Sequence, residues 1–157
     1  MTVTIQQGLT AASGASMTLL GTLTTTSGTT QSLTDIAAGY RQLYCELDGV
    51  SPNDNGGATL RISLSSTNGG AYGASVTISG SSSAAADTVD GCVIVYDIST
   101  TLVGKQVQPY TSLTAAALFA TAIRAVTNTA AVLDAIKFTW VGGSSFDAGS
   151  IRVYGVK

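Results

Sequence analysis

Histidine is absent from all 157 residues. That removes Ser-His-Asp and Cys-His nucleophilic catalysis, imidazole ligation of haem and most zinc chemistry. Charge is scarce: 10% of the residues are Asp, Glu, Lys or Arg, where an average chain carries about 25%. Seven Lys and Arg stand against nine Asp and Glu, with a pI near 4.7. A nucleic-acid partner, which needs a basic footprint, is not expected. No run approaches the 18 or so uninterrupted apolar residues of a membrane helix, so no membrane partner is expected either. The opening Met1-Thr-Val-Thr-Ile-Gln-Gln lacks the basic and apolar regions of a secretory signal. Two cysteines, Cys45 and Cys92, are too few for a disulfide scaffold. Each lies in an apolar run and reads as a small buried hydrophobe.

Small and apolar side chains fill the space that charge leaves. Gly numbers 18, 45% of the residues are apolar and mean hydropathy is +0.34. Disorder of the charged, weakly hydrophobic kind is excluded. One domain is expected over 17–157, preceded by a polar, uncharged arm or docking segment over 1–16.

Period-two alternation then recurs along the chain, the signature of half-buried strands. Met17, Leu19, Gly21 and Leu23 alternate with Thr18, Leu20, Thr22 and Thr24. Leu43, Cys45 and Leu47 oppose Gln42, Tyr44 and Glu46, and Leu60, Ile62 and Leu64 oppose Arg61, Ser63 and Ser65. Val76 and Ile78 mark a short strand, and 103–110 a weaker one with Pro109 near its end. Cys92–Ile98 is a continuous apolar run, suited to a strand covered on both faces. Residues 113–126 fit an Ala-rich helix or a strand through Phe119, Thr121, Ile123 and Ala125, and the neighbouring strands favour the strand. Ile136, Phe138 and Trp140 form one strand, Ile151 and Val153 the last. Turns are expected at 27–29, 49–57, 68–70, 80–86 and 142–145. About eight strands so spaced imply an all-β chain, a single antiparallel β-sandwich of jelly-roll type. Ser and Thr on the outward positions let a face be covered without desolvating many ions, which points to self-association.

Candidate chemistry is thin. Glu46 and Asp48 sit two apart on one strand face, a spacing compatible with paired-carboxylate glycoside hydrolysis but better read as a solvated face. Asp48 with Asn53-Asp54-Asn55-Gly56 lacks EF-hand spacing and reads as turn chemistry. Gly142–Gly149 lacks the Lys-Ser/Thr ending of a phosphate loop and reads as a hairpin with Phe146 turned inward. No catalytic residue, metal or cofactor is expected. Tyr40 and Tyr44, placed on the outward face of one strand, are the candidate glycan or subunit contacts.

Three segments carry a resemblance. Leu33–Ser51 (LTDIAAGYRQLYCELDGVS), Ile136–Trp140 (IKFTW) and Phe146–Val156 (FDAGSIRVYGV) together resemble small virion structural proteins of tailed bacteriophages and prophages. The resemblance covers about half the chain and its motifs are structural. It implies a jelly-roll-like domain in an appendage of the particle, often a homotrimer, with virion location after assembly in the bacterial cytoplasm. Other capsid, collar or tail proteins are the implied partners, and no catalytic motif is carried. Fibre proteins of this type place the domain after a long shaft. Only about 16 residues precede the first strand here, which favours a capsid decoration, collar or tail-attached subunit. The alternative expectation is a carbohydrate- or receptor-binding module at a tail or fibre tip, contacting host surface glycan.

Overall fold

The computed structural model describes residues 16–53, 56–82, 84–101, 104–114, 116–120, 124–126 and 131–157. Eleven strands are formed: β1 (Met17–Thr24), β2 (Thr30–Leu33), β3 (Gln42–Pro52), β4 (Thr59–Ser65), β5 (Val76–Thr77), β6 (Val89–Tyr96), β7 (Lys105–Leu113), β8 (Ala116–Ala120), β9 (Arg124–Val126), β10 (Ala135–Val141) and β11 (Phe146–Val156). No helix occurs among the described residues. The expected arm falls almost wholly on residues 1–15, outside the described residues, as do Asp54 and Asn55 of the turn cluster.

Every strand pair is antiparallel. One sheet runs β1-β11-β3-β6-β7-β8, with β9 also on β7, and the other runs β2-β10-β4-β5. Without β7–β9, eight strands remain in the orders β1-β11-β3-β6 and β2-β10-β4-β5. This is the jelly roll, an antiparallel β-sandwich in which consecutive strands exchange sheets, with β4 and β5 the one neighbouring pair among these eight that stays in a single sheet. The insert β7–β9 widens the first sheet.

The core lies between the sheets. The large sheet contributes Leu43, Cys45, Leu47, Val93, Val95, Val107, Ile151 and Val153, and the small sheet contributes Leu60, Ile62, Leu64, Ile136, Phe138 and Trp140. Except for Val93, Val95 and Val107, these positions are the inward half of the expected alternations, because successive strand side chains point to opposite faces. Trp140 meets Phe146 edge-on, ring centroids 6.2 Å apart, so Phe146 is turned inward as expected.

Three expectations need correction. The alternation of β1 does not hold across its length. The register shifts between Leu19 and Gly21, so Met17 and Leu19 are exposed while Leu23 is buried. A bulge puts an extra residue into one strand and reverses which face the following side chains occupy. The turn expected at 49–57 starts later, because β3 continues to Pro52 with Val50 fully buried. A further strand, β2, pairs Thr30–Leu33 with Ile136–Thr139; four polar-rich residues give no period to detect. Within 113–126, which fits helix or strand with the strand favoured, Ala116–Ala120 and Arg124–Val126 are strands, β8 on Tyr110–Leu113 and β9 on Lys105–Val107. The alternation expected at Phe119–Ala125 concerns side chains outside the described residues.

Gly155 on β11 makes room for Tyr40. A Cβ at Gly155 would stand 2.6 Å from Cγ and 2.7 Å from Cε1 of the Tyr40 ring. We expect Gly155→Ala to cost about 1–3 kcal/mol by overpacking. Urea denaturation checks this, and in a Tyr40→Ala background the same change should cost much less. Equal costs in both backgrounds would mean that the ring does not rest there.

Candidate functional site: two unlike outer faces

The two sheets turn chemically different outer faces away from the core. On the large sheet, register sets the side chains in cross-strand rows. Leu19, Tyr154, Tyr44, Ile94 and Gln108 form one row across β1, β11, β3, β6 and β7. Met17, Val156, Gln42, Tyr96 and Gln106 flank it on one side, and Thr22, Arg152, Glu46, Cys92 and Tyr110 on the other. Met17, Leu19 and Tyr110 are 57%, 52% and 44% exposed. Tyr44, Cys92, Ile94, Tyr96, Tyr154 and Val156 are half-buried. The rings of Tyr44 and Tyr154 tilt at 53° with centroids 6.2 Å apart.

The expectation that Cys92–Ile98 is covered on both faces is therefore corrected. Val93 and Val95 are sealed in the core, while Cys92, Ile94 and Tyr96 stand on a face that no described segment covers. A continuous apolar run cannot say by itself whether its second cover belongs to the same chain or to another.

Charge on this face is partly neutralised, one cation standing between two carboxylates. Arg152 Nη1 lies 3.2 Å from Glu46 Oε2 and Nη2 lies 3.5 Å from Asp48 Oδ2. Glu46 and Asp48 share a face as expected, with one guanidinium held between them. Contact with Glu46 raises the Arg152 pKa above its ordinary value, with a smaller contribution from Asp48. Tyr154 donates to Glu46 Oε2 at 3.4 Å. Glu46 is thereby engaged by an arginine and a phenol. The Tyr44 phenol stays protonated to higher pH than usual, chiefly through interaction with Cys92 and then through burial.

Tyr40 does not share the outward face with Tyr44. It precedes β3, and its ring packs against the inner side of Gly155 beside the core. Arg41 N bonds to Val156 O, which fixes the chain just before the strand. The alternation was extended two residues too far, across a segment that is not yet strand. Tyr154 takes the place beside Tyr44 that the sequence reading gave to Tyr40. The cross-strand partner could not be named without the register between β3 and β11.

The cysteines also lie on opposite sides of this sheet, and both are free thiols. Cys45 is fully buried, and desolvation pushes its pKa far above the ordinary thiol range. Cys92 is half-buried on the outer face. In dilute native protein we expect a maleimide to modify Cys92 alone, with Cys45 reacting only on unfolding. Mass spectrometry of the labelled peptides checks this; native labelling of Cys45 would contradict the core described above.

The small sheet presents a different surface. Thr139 lies opposite Arg61 and Lys137 opposite Ser63, and the loop after β4 brings Tyr72, Gly73 and Ser75 alongside. These residues and Val141 line an open cleft of about 260 Å³. Lys137 Nζ sits 4.2 Å from the centroid of the Tyr72 ring, a cation–π contact. The N–H of Gly73 bonds to Leu64 O at 3.0 Å, tying the loop back to its strand. The sequence reading passed over this cleft. Alternation marks Arg61, Lys137 and Thr139 only as the polar half of two strands, and no signal in the sequence singles out Tyr72. No group of three or more potential metal-ligating side chains occurs among the described residues.

No family model, curated protein or solved structure matches this chain.

Proposed function

We propose that this chain is a non-enzymatic structural subunit of a bacteriophage particle. It works as a capsid decoration, collar or tail-attached appendage that self-associates, as a homotrimer, and docks on other virion proteins. The observation that carries the reading is the uncovered apolar face of the large sheet, centred on Leu19, Tyr154, Tyr44 and Ile94. Apolar surface that runs across four neighbouring strands is favourable to remove from water. At ordinary strand spacing the three rows over five strands measure roughly 20 Å by 24 Å, about 480 Å², a patch of the size that marks an interaction surface.

Arg152 is flanked by Glu46 and Asp48, so each copy brings one net negative charge to the face, and an apposed copy meets the arginine already paired and not as a lone buried ion. Three copies turning this sheet towards a common axis would bury the aromatic rows against each other and close the assembly. The resemblance of the 33–51, 136–140 and 146–156 segments to phage virion proteins supports the same role and the trimer. Against catalysis stand a sequence without histidine and a sole glutamate, Glu46, tied to Arg152 and Tyr154.

Two measurements test the proposal. Purified particles, digested and analysed by mass spectrometry, should contain this chain in multiple stoichiometric copies. Maleimide labelling of Cys92 should slow as protein concentration rises through the micromolar range, because association covers its face. Absence of the chain from the particles, or labelling independent of concentration, would overturn the reading.

A further inference from the structure

Arg61 and Lys137 are two cations side by side on the outer face of the small sheet, and neither has a carboxylate partner. Both ion pairs among the described residues belong to Arg152, on the opposite sheet. The acids beside the Tyr72 loop are already engaged: Asn68 binds Asp35 through its amide side chain and Asp134 through its backbone N–H. Arg61 and Lys137 both line the open cleft beside the Tyr72 loop. Two neighbouring cations without a counter-charge make the cleft complementary to a negatively charged group from elsewhere.

The lining defines what that group is. A guanidinium fork matches a carboxylate, and an adjacent ammonium adds a second charge-assisted bond. Tyr72 holds Lys137 by its ring face and so positions the ammonium over the cleft. Around the cations stand the hydroxyls of Ser63 and Ser75, which can give and accept hydrogen bonds with ring hydroxyls. At about 260 Å³ the cleft lies below the ~300–1,000 Å³ of drug-sized pockets and suits one ring. It is open on one side, so a ring within a longer chain could enter. A bare small anion would satisfy Arg61 and Lys137 but leave the hydroxyl rim unused. We propose that the Arg61–Lys137–Tyr72 cleft binds a carboxylate-bearing sugar residue of the hexuronate class. Its carboxylate lies on Arg61 and Lys137, and its hydroxyls on Ser63 and Ser75. This site is on the sheet opposite the proposed subunit interface, so it does not depend on the self-association reading.

The test is a titration of the full chain, followed by amide chemical shifts, with glucuronate, galacturonate, glucose and inorganic phosphate as separate probes. At least one of the two uronates should shift the amides of Ser63, Gly73 and Thr139 at millimolar concentration, glucose should not, and phosphate should bind more weakly than that uronate. Arg61→Gln should weaken uronate binding at least tenfold. Lys137→Gln, a second and independent variant, should weaken it in the same direction. Tyr44→Ala should leave it unchanged. No shift with either uronate would overturn the proposal. So would phosphate binding as tight as uronate binding, which would mean a general anion site, or shifts confined to the large sheet.

Discussion

Phe138→Ala is expected to lower the unfolding free energy by about 3–5 kcal/mol, the cost of removing a fully enclosed aromatic ring. Phe138 has no exposed surface and lies at the middle of β10, opposite Ile62 of β4 and between Ile136 and Trp140 along its own strand. Its ring projects from the small sheet into the space that the large sheet closes. The loss includes the transfer energy of the ring and the cavity left behind, since strands held on both sides by ladders cannot collapse into it. A domain of this size has only about 5–15 kcal/mol in hand. Tm should fall by roughly 6–20 °C, taking 2–4 °C per kcal/mol. Urea denaturation gives the free energy directly. A loss below about 1 kcal/mol would mean that the sheets are not packed across this ring.

Gly149→Val should be comparably damaging for a different reason. Gly149 lies at the irregularity where β11 crosses β3, between the pairs Ala148–Ser51 and Ser150–Asp48. Its φ is +94°, and a Cβ there would stand 2.5 Å from Gly49 C and 2.6 Å from Asp48 O. A β-branched residue meets backbone strain of about 1–3 kcal/mol and an overlap of about 1–3 kcal/mol with main chain that has no rotamer to yield, so a loss of about 2–6 kcal/mol is expected. Gly143→Val separates the two contributions. Gly143 has φ +91° but open space around it, so it carries the strain without the overlap. Equal losses at both positions would show that the close approach of β11 to β3 is absent.

Legibility in the sequence followed the length of uninterrupted alternation. β4, β10 and the end of β11 alternate without a break, and their inward and outward residues were assigned as the fold has them. β1 failed at its bulge, where one additional residue at Leu20 reverses the faces and no composition change marks the place. β2 was too short to show a period. Glu46 and Asp48 were rightly placed together because they are two apart on one strand. Arg152, which holds them, is more than a hundred residues away and is brought there only by the β3–β11 register. The same holds for Tyr154 beside Tyr44, and for Arg61 beside Lys137 across β4 and β10. A single sequence displays same-strand neighbours; cross-strand neighbours need the topology.

The asymmetry between the two outer faces follows from one economy of composition. With 10% charged residues, few ions are available to blunt either sheet. On the large sheet the few present are paired with each other among aromatic and aliphatic side chains. On the small sheet the two cations stand unpaired among hydroxyls. On the proposed reading the first face takes a copy of the same chain and the second an acidic ligand, which leaves the assembled domain open to binding on its other side.

Sedimentation velocity on the wild type and on Ile94→Asp, from sub-micromolar to high micromolar concentration, tests the central claim most directly. Ile94 lies at the centre of the aromatic face but outside the core, so the variant should keep its near-ultraviolet spectrum and its urea midpoint. The wild type should sediment as a closed oligomer of three 15.8 kDa chains. Ile94→Asp should remain a single chain, because each interface would then bury a carboxylate without a partner. A wild type that stays monomeric throughout, or a variant that associates as the wild type does, would contradict the account.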